Sequence, residues 1–381
     1  MINRLLRRAL KNDKKSALLL GPRQVGKSTL LHSLGPDLVI DLSSQNEYFL
    51  HSSDPNYLSS LLPNKKLVLI DEIQRIPGLL NTVQYEIDKA SREKRHCRFL
   101  LSGSSARKLR RGQSNLLPGR IFQYQLSGFC ARELDFEINF DKALRFGFLP
   151  EPYLDDDEVS SQKLLVSYAS AYLTEEIQAE ALTRNIEGFA RFLKVMAEKA
   201  GQILDYSKLS TKSKVSRTSL VRFVELLEDT LIARVIDSFN ESDEAQVVRH
   251  PKLYFFDVGV LNGLNQNFTA SPDRVGILSE HLVLNQMVNS SLAQGRNLEF
   301  SFFRTRHGAE VDFVVKEGSE LWAIEVKTGK VDESDLNGLK IFKHYYPRVK
   351  NLYAVSTSEK RRSIKGVTIC SVIDLLKDMN L

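Results

Sequence analysis

The first third of the chain alternates short apolar runs with stretches whose apolar residues recur at helical spacing. The runs are Ala17–Leu20, Leu38–Leu42, Leu67–Ile70, Phe99–Leu101 and Ile121–Leu126. Most are unbroken rather than alternating, the mark of strands buried on both faces, and helix-compatible segments separate them. That order predicts a parallel sheet covered by helices on both sides. From about Arg132 to Asp237 the spacing turns mostly helical. Strand character returns at Leu253–Phe256, Leu298–Phe303, Val311–Val315 and Leu321–Val326, interleaved with helices at about 276–290 and 334–344. The pattern predicts an α/β chain in three parts: a parallel-sheet domain over 1–130, a helical domain over 131–245 and a second α/β domain over 246–381. No segment repeats at a fixed period, which excludes a solenoid or propeller.

Composition changes the picture in two ways. With 42% hydrophobic and 26% charged residues, the chain has the balance of a globular protein and not of a disordered one. A net charge of +6 and an isoelectric point near 9.0 point to acidic partners, with nucleic acid first among them. Cys97, Cys130 and Cys370 have no paired spacing, so neither a disulfide framework nor a zinc site is expected. The basic N-terminus lacks the apolar core of a secretory signal, and no apolar run approaches the ~20 residues of a spanning helix. The expectation is a soluble, cytoplasmic protein with no membrane contact.

Gly21-Pro-Arg-Gln-Val-Gly26-Lys27-Ser28 has the form G-x-x-x-x-G-K-[ST], placed between the strand SALLL and the helix-compatible STLLHSL. A loop of this kind curls backbone N–H groups around phosphate oxygens at a helix N-terminus. The nucleotide-binding set is Gly21, Gln24, Val25, Gly26, Lys27, Ser28 and Thr29. Lys27 reaches the β- and γ-phosphates of ATP, and the Ser28 hydroxyl ligates Mg²⁺. Downstream, Leu67-Val-Leu-Ile70 delivers Asp71 and Glu72 at the C-terminal end of a strand, where parallel sheets bind ligands. Asp71 is placed to hold the magnesium and Glu72 to polarise the attacking water. The stretches GPRQVGKST, LVLIDEIQRIPG, LLSGSSARKL and LLPGRIFQYQLSGF then resemble the AAA-type ATPases in order and content. The resemblance implies that Ser102 or Ser104 senses the γ-phosphate. It also implies that Arg120, with Arg107 as rival, is an arginine finger acting on a neighbouring copy, in a homo-oligomer such as a ring.

Two further constellations follow. Gly201–Leu209 and Val215–Leu220 read as helix, turn, helix, with Ser216 as N-cap and Leu220, Val224 and Leu227 at helical spacing. Leu231–Ile236 would be the wing of a winged helix, and Lys212, Lys214, Arg217 and Arg222 would meet DNA phosphates; a rigid connector with a solvated basic face is the alternative. Nearer the C-terminus, strand alternation puts Glu310 and Asp312 on one face and Glu325 and Lys327 on one face of the next strand. Glu280 falls on the apolar side of its helix, three residues after Ile277. Glu280, Asp312 and Glu325-x-Lys327 together resemble the PD-(D/E)xK, restriction-endonuclease-like nucleases. The resemblance implies that the three acids bind Mg²⁺ (or Mn²⁺) and that Lys327 positions or activates the attacking water. His281 and His307 read as surface or internally bonded histidines. The whole chain resembles a group of prokaryotic proteins that join an AAA-type ATPase to a winged helix and a nuclease-like domain. The function this implies is an ATP-dependent DNA-processing enzyme with metal-dependent nuclease activity, with DNA before RNA as the expected nucleic-acid partner. The alternative is an ATPase switch or regulator whose nuclease-like domain binds DNA or protein without cutting.

Overall fold

The computed structural model describes residues 2–104, 117–172, 186–241, 247–357 and 360–381. The chain gathers into two compact units. The first is 1–127 with the short pieces 229–232 and 292–295, and the second takes in the rest of both the 131–245 and 246–381 segments.

The first unit is built on β1 (Ser16–Leu20), β2 (Leu38–Asp41), β3 (Leu67–Asp71), β4 (Arg98–Gly103) and β5 (Ile121–Gln125). Between them run α1 (Leu6–Asn12, ahead of β1), α2 (Lys27–His32), α3 (Gln45–Ser53), α4 (Tyr57–Leu61) and α5 (Leu79–Arg92). The strands lie in the order β2-β3-β4-β1-β5, every pairing parallel. β4 is therefore inserted between the strand that leads into the glycine-rich loop and the strand that ends in Asp71. The unbroken apolar runs explain this: Leu18, Leu20, Val68, Ile70, Phe99 and Leu101 are buried together with Leu80 and Val83 of α5. A strand that is apolar on both sides is stable only when covered on both.

The second unit opens with α6 (Phe140–Phe146), α7 (Pro150–Leu154), α8 (Glu158–Ser167), α9 (Ile186–Lys199), α10 (Tyr206–Ser213) and α11 (Arg217–Asp229). It continues with β6 (Ala233–Ser238), β7 (Lys252–Phe255), α12 (Val258–Asn265), α13 (Val275–Gln294), β8 (Glu299–Arg304), β9 (Glu310–Glu317) and β10 (Glu320–Val326). It closes with α14 (Asn337–Tyr345), β11 (Asn351–Ser356), β12 (Arg362–Ile364), β13 (Val367–Ser371) and α15 (Val372–Asp378). The eight strands form one mixed sheet, β12-β13-β11-β10-β9-β8-β6-β7.

The strand expected over Leu231–Ile236 lies at Ala233–Ser238. It pairs antiparallel with β7 and also runs parallel to β8, with Asp237 opposite Ser301, so it is part of the large sheet. α14 covers one face of that sheet, where Leu339 and Phe342 pack with Phe303, Val314 and Ala323.

Candidate functional site

Gly21 leaves β1 under tight constraint: a Cβ there would stand 2.2 Å from the Leu126 carbonyl oxygen. The loop then passes through two left-handed positions, Gln24 at φ 61° and Gly26 at φ 88°. Such reversals turn successive N–H groups toward one point, an anion-binding concavity. Val25 is buried, Ser28 half-buried, and Gln24 and Thr29 are exposed at the rim. Lys27, at 5% exposure, donates to the Gly21 and Pro22 carbonyls, both at 2.8 Å, which holds its ammonium over the loop.

The ends of β3 and β4 meet beside it. Asp71 is buried and accepts a hydrogen bond from the Ser102 hydroxyl, and the Glu72 N–H lies 3.1 Å from the same Ser102 oxygen. Glu72 sits in the left-handed region at φ 57°, a conformation that costs roughly 1–3 kcal/mol in a non-glycine residue. Strain of this kind is tolerated where the surroundings fix it, and Gln74 supplies the fixing. Its side-chain NH₂ donates both to the Glu72 carboxylate and to the Ser104 hydroxyl, the latter at 3.0 Å. Sequence reasoning passed over Gln74. Its only signal was its place two residues past the glutamate, on the one-turn helix Ile73–Arg75. Ser102 thus contacts Asp71 directly, whereas Ser104 reaches Glu72 through Gln74.

Arg120 lies at the opposite end of the strands from the loop, because Ile121 is level with Ser16, the first residue of β1. Its guanidinium grips Asp88 of α5 with two bonds, 2.8 and 3.0 Å, and this holds the Asp88 carboxyl below its ordinary range. Arg107 and Ser105 lie outside the described residues.

In the second unit, β9 and β10 are antiparallel with Phe313 opposite Ile324. One step further along this register sets Asp312 opposite Glu325, and the Val326 N–H donates to Asp312 at 2.8 Å. Asp312 is 7% and Glu325 8% exposed. Lys327, half-buried, donates to one Glu325 oxygen at 2.9 Å, while the other oxygen is buried with no hydrogen-bond partner. Glu280 of α13 is half-buried and accepts from the buried Tyr254 phenol at 3.3 Å. Burial first, and then the Asp312 charge, push the Glu280 and Glu325 carboxyls up to about 8; burial likewise raises Asp312.

Two residues not singled out in the sequence complete the cluster. Lys252 of β7, 3% exposed, pairs with Glu310 at 2.7 Å, and Arg304 approaches the same carboxylate at 3.2 Å. The Lys252 ammonium pulls the Glu280 and Asp312 carboxyls back toward their ordinary range. His281 is fully buried against Tyr254, with Nδ1 bonded to the Ile277 carbonyl at 3.0 Å, and burial holds it down to about 4, hence neutral. His307 is exposed. In kind, these carboxylate oxygens suit a hard divalent cation. Among the described residues, however, no group of three or more His, Cys, Asp or Glu is arranged to hold one.

α10 and α11 meet at a turn, as the sequence suggested. Asp205 caps α10 by accepting from Ser207 and Lys208, and Ser216 accepts from the Ser219 N–H at 3.3 Å. Leu220, Val224 and Leu227 are buried, while Lys212, Lys214, Arg217 and Arg222 are exposed.

Three family models match consecutive stretches: an AAA domain over residues 13–135, and domains of unknown function over 137–271 (DUF8612) and 275–375 (DUF4143). An uncharacterized protein of Mycobacterium tuberculosis is 27% identical over 329 residues, spanning 84% of this chain and 72% of its own length. An uncharacterized protein of Methanocaldococcus jannaschii is 22% identical over 277 residues, covering 67% of this chain and 59% of that one. Among solved structures, the replication initiator DnaA bound to AMPPCP and single-stranded DNA aligns at a TM-score of 0.30 with 11% identity, over 59% of this chain and 86% of that one. The Orc1 protein of Aeropyrum pernix in complex with DNA aligns at 0.26 with 14% identity, over 70% and 92%. No helix among the described residues is long and apolar enough to cross a membrane. Residues 13–135 are an AAA-type P-loop ATPase domain on a parallel sheet, followed by two domains whose matches name no activity.

Proposed function

We propose that the chain is an ATP-hydrolysing enzyme that processes DNA, and that its second unit cuts phosphodiester bonds with a divalent cation. The observation that carries the reading is Asp312 set against Glu325 beside Lys327, with one Glu325 oxygen buried and unbonded. An unbonded buried carboxylate oxygen is costly unless something fills its place when the site is at work. Asp312 and Glu325, with Glu280 alongside, would hold Mg²⁺ or Mn²⁺, which supplies a polarised phosphate and an acidified water when bound. Lys327 keeps an ammonium at the mouth of the site, where it positions that water and meets charge developing on phosphate oxygens.

In the ATPase domain, Lys27 would meet the phosphates of ATP, and Ser28 and Asp71 would hold Mg²⁺. Glu72 orients the attacking water, held in place by Gln74 and Ser104. Arg120 acts on the nucleotide of a neighbouring copy, so the working form is a homo-oligomer such as a ring, in the cytoplasm. The proposal includes a winged helix within 131–245 that touches DNA through Lys212, Lys214, Arg217 and Arg222, and a restriction-endonuclease-like domain over 246–381. The test is incubation of wild type and Asp312→Ala with linear, circular and branched DNA, with Mg²⁺ or Mn²⁺. Cleavage by wild type alone supports the reading; no cleavage by either, with ATP turnover intact, sinks it.

One observation favours a second reading, that of an ATPase switch whose second unit binds DNA or protein without cutting. Among the described residues no three metal-ligating side chains are arranged around a common point. In that case Lys252 and Lys327 already supply the countercharge the acids need, and the cluster is a structural remnant of a nuclease fold.

A further inference from the structure

One stretch of the second unit is strongly basic. Between Lys340 and Lys365 the sequence carries eight Lys or Arg and one Asp or Glu, a net of +7, while the whole chain is +6. The remainder sums to a net of −1, because other basic stretches, such as Met1–Lys15 with six Lys or Arg and one Asp, are offset by acidic ones elsewhere. The fold gathers members of the 340–365 stretch onto one surface. Glu333 accepts from both Lys340 of α14, at 3.0 Å, and Lys365 of the β12–β13 turn, at 2.5 Å. The Lys343 ammonium comes within 3.9 Å of where a Cβ on Gly366 would stand. Lys343, Arg348, Lys350 and Lys365 are all exposed. Asp332, Glu333 and Asp335 offset part of this charge, yet residues 332–365 still carry eight Lys or Arg against four Asp or Glu, and crowding like charges on a surface costs stability unless a partner uses them.

This surface also lies next to the carboxylate cluster. A Cβ on Gly338, in the first turn of α14, would stand 1.8 Å from the Glu310 carbonyl oxygen, so the helix rests on the strand that carries Asp312. Lys340 follows Gly338 by two residues and Lys343 by five, so the basic face begins within about one helical turn of that contact. We infer that the exposed basic face of α14, with the loop to β11 and the β12–β13 turn, is the docking surface for a nucleic-acid backbone running to the carboxylate cluster. The inference rests on the reading of the second unit as a nucleic-acid enzyme. It places the main phosphate contacts here and not on α11.

The experiment is fluorescence anisotropy of a labelled 30-base-pair duplex DNA titrated with the full chain across a salt series. Wild type is compared with the triple variant Lys343→Ser/Arg348→Ser/Lys350→Ser, the charge-keeping triple Lys343→Arg/Arg348→Lys/Lys350→Arg, and Lys212→Ser/Arg217→Ser/Arg222→Ser. The serine triple is expected to bind at least about tenfold more weakly at low salt. Its log-affinity against log-salt slope should be shallower by about two to three, at roughly 0.9 per lost phosphate contact. The charge-keeping triple should bind as wild type, with the Lys212/Arg217/Arg222 variant of α10 and α11 changed less than the Lys343/Arg348/Lys350 serine triple. If the Lys343/Arg348/Lys350 serine triple binds like wild type, or the α10–α11 variant alone loses binding, the inference is overturned while the nucleic-acid reading stands. If the charge-keeping triple binds as weakly as the serine triple, the effect is not one of charge and the inference is likewise overturned. If wild type binds no duplex even at low salt, that reading falls and takes the inference with it.

Discussion

Gln74 shows how much a single side chain can decide. It is 7% exposed, and its NH₂ serves both Glu72 and Ser104, so the carboxylate expected to orient water has its direction set by an amide. Gln74→Ala should leave ATP binding unchanged and lower ATP turnover by about 10²-fold, the scale of a misplaced reacting group. Equilibrium nucleotide titration and steady-state turnover separate the two effects, and a parallel loss of affinity would reduce Gln74 to a structural role. Lys27→Ala, by contrast, should abolish binding itself.

Glu325 yields a second expectation. Burial and the Asp312 charge raise its carboxyl to about 8, against an ordinary value of about 4.3. A group raised in the folded state contributes stability that is full below its unfolded pKa and lost as pH climbs through the folded one. His281, held down to about 4, works in the opposite sense and loses its contribution as pH falls from about 6.5 toward 4, so the carboxyl effect shows cleanly above pH 6.5. In metal-free buffer, melting followed by circular dichroism should drop between pH 6.5 and 8.5, by about 2–4 °C for each kcal/mol of linkage. Glu280, raised to about 8 as well, contributes to the same slope, so Glu325→Gln should reduce it, and an unchanged slope would remove Glu325 from the account.

Elements were read from sequence with uneven success, and the reasons are physical. Strands buried on both faces announce themselves as unbroken aliphatic runs; all five strands of the first unit fell within two residues of their expected ends. The alternation around Asp312 and Glu325 was legible because a strand's period of two fixes its faces. The strands over 351–371 were not recognised, being short, flanked by charge and stable only as additions to an existing edge. Lys252 was invisible for a related reason. Its place beside Glu310 depends on β7 joining the far side of the sheet, a long-range pairing that no local pattern encodes. The packing of α14 on β9 makes its own prediction. Gly338→Ala forces a methyl into the Glu310 carbonyl and should cost about 1–3 kcal/mol. Urea unfolding would measure it, and an unchanged midpoint would show that the helix can shift.

At the scale of the whole molecule, the account joins two kinds of chemistry in one chain. If Arg120 completes a neighbour's nucleotide site, Arg120→Ala should lower turnover by at least about 10³-fold with ATP still bound. Mixing that variant with Lys27→Ala should restore part of the activity, since each supplies what the other lacks. No recovery in mixed assemblies would leave Arg120 as the structural partner of Asp88.

The most direct single test follows ATP turnover and DNA cleavage together for wild type, Lys27→Ala and Asp312→Ala, with Mg²⁺ or Mn²⁺. The account predicts that Asp312→Ala loses cleavage and keeps ATP turnover, while Lys27→Ala loses turnover and alters cleavage. Loss of ATP turnover in Asp312→Ala, or no cleavage by wild type under any condition, would contradict it.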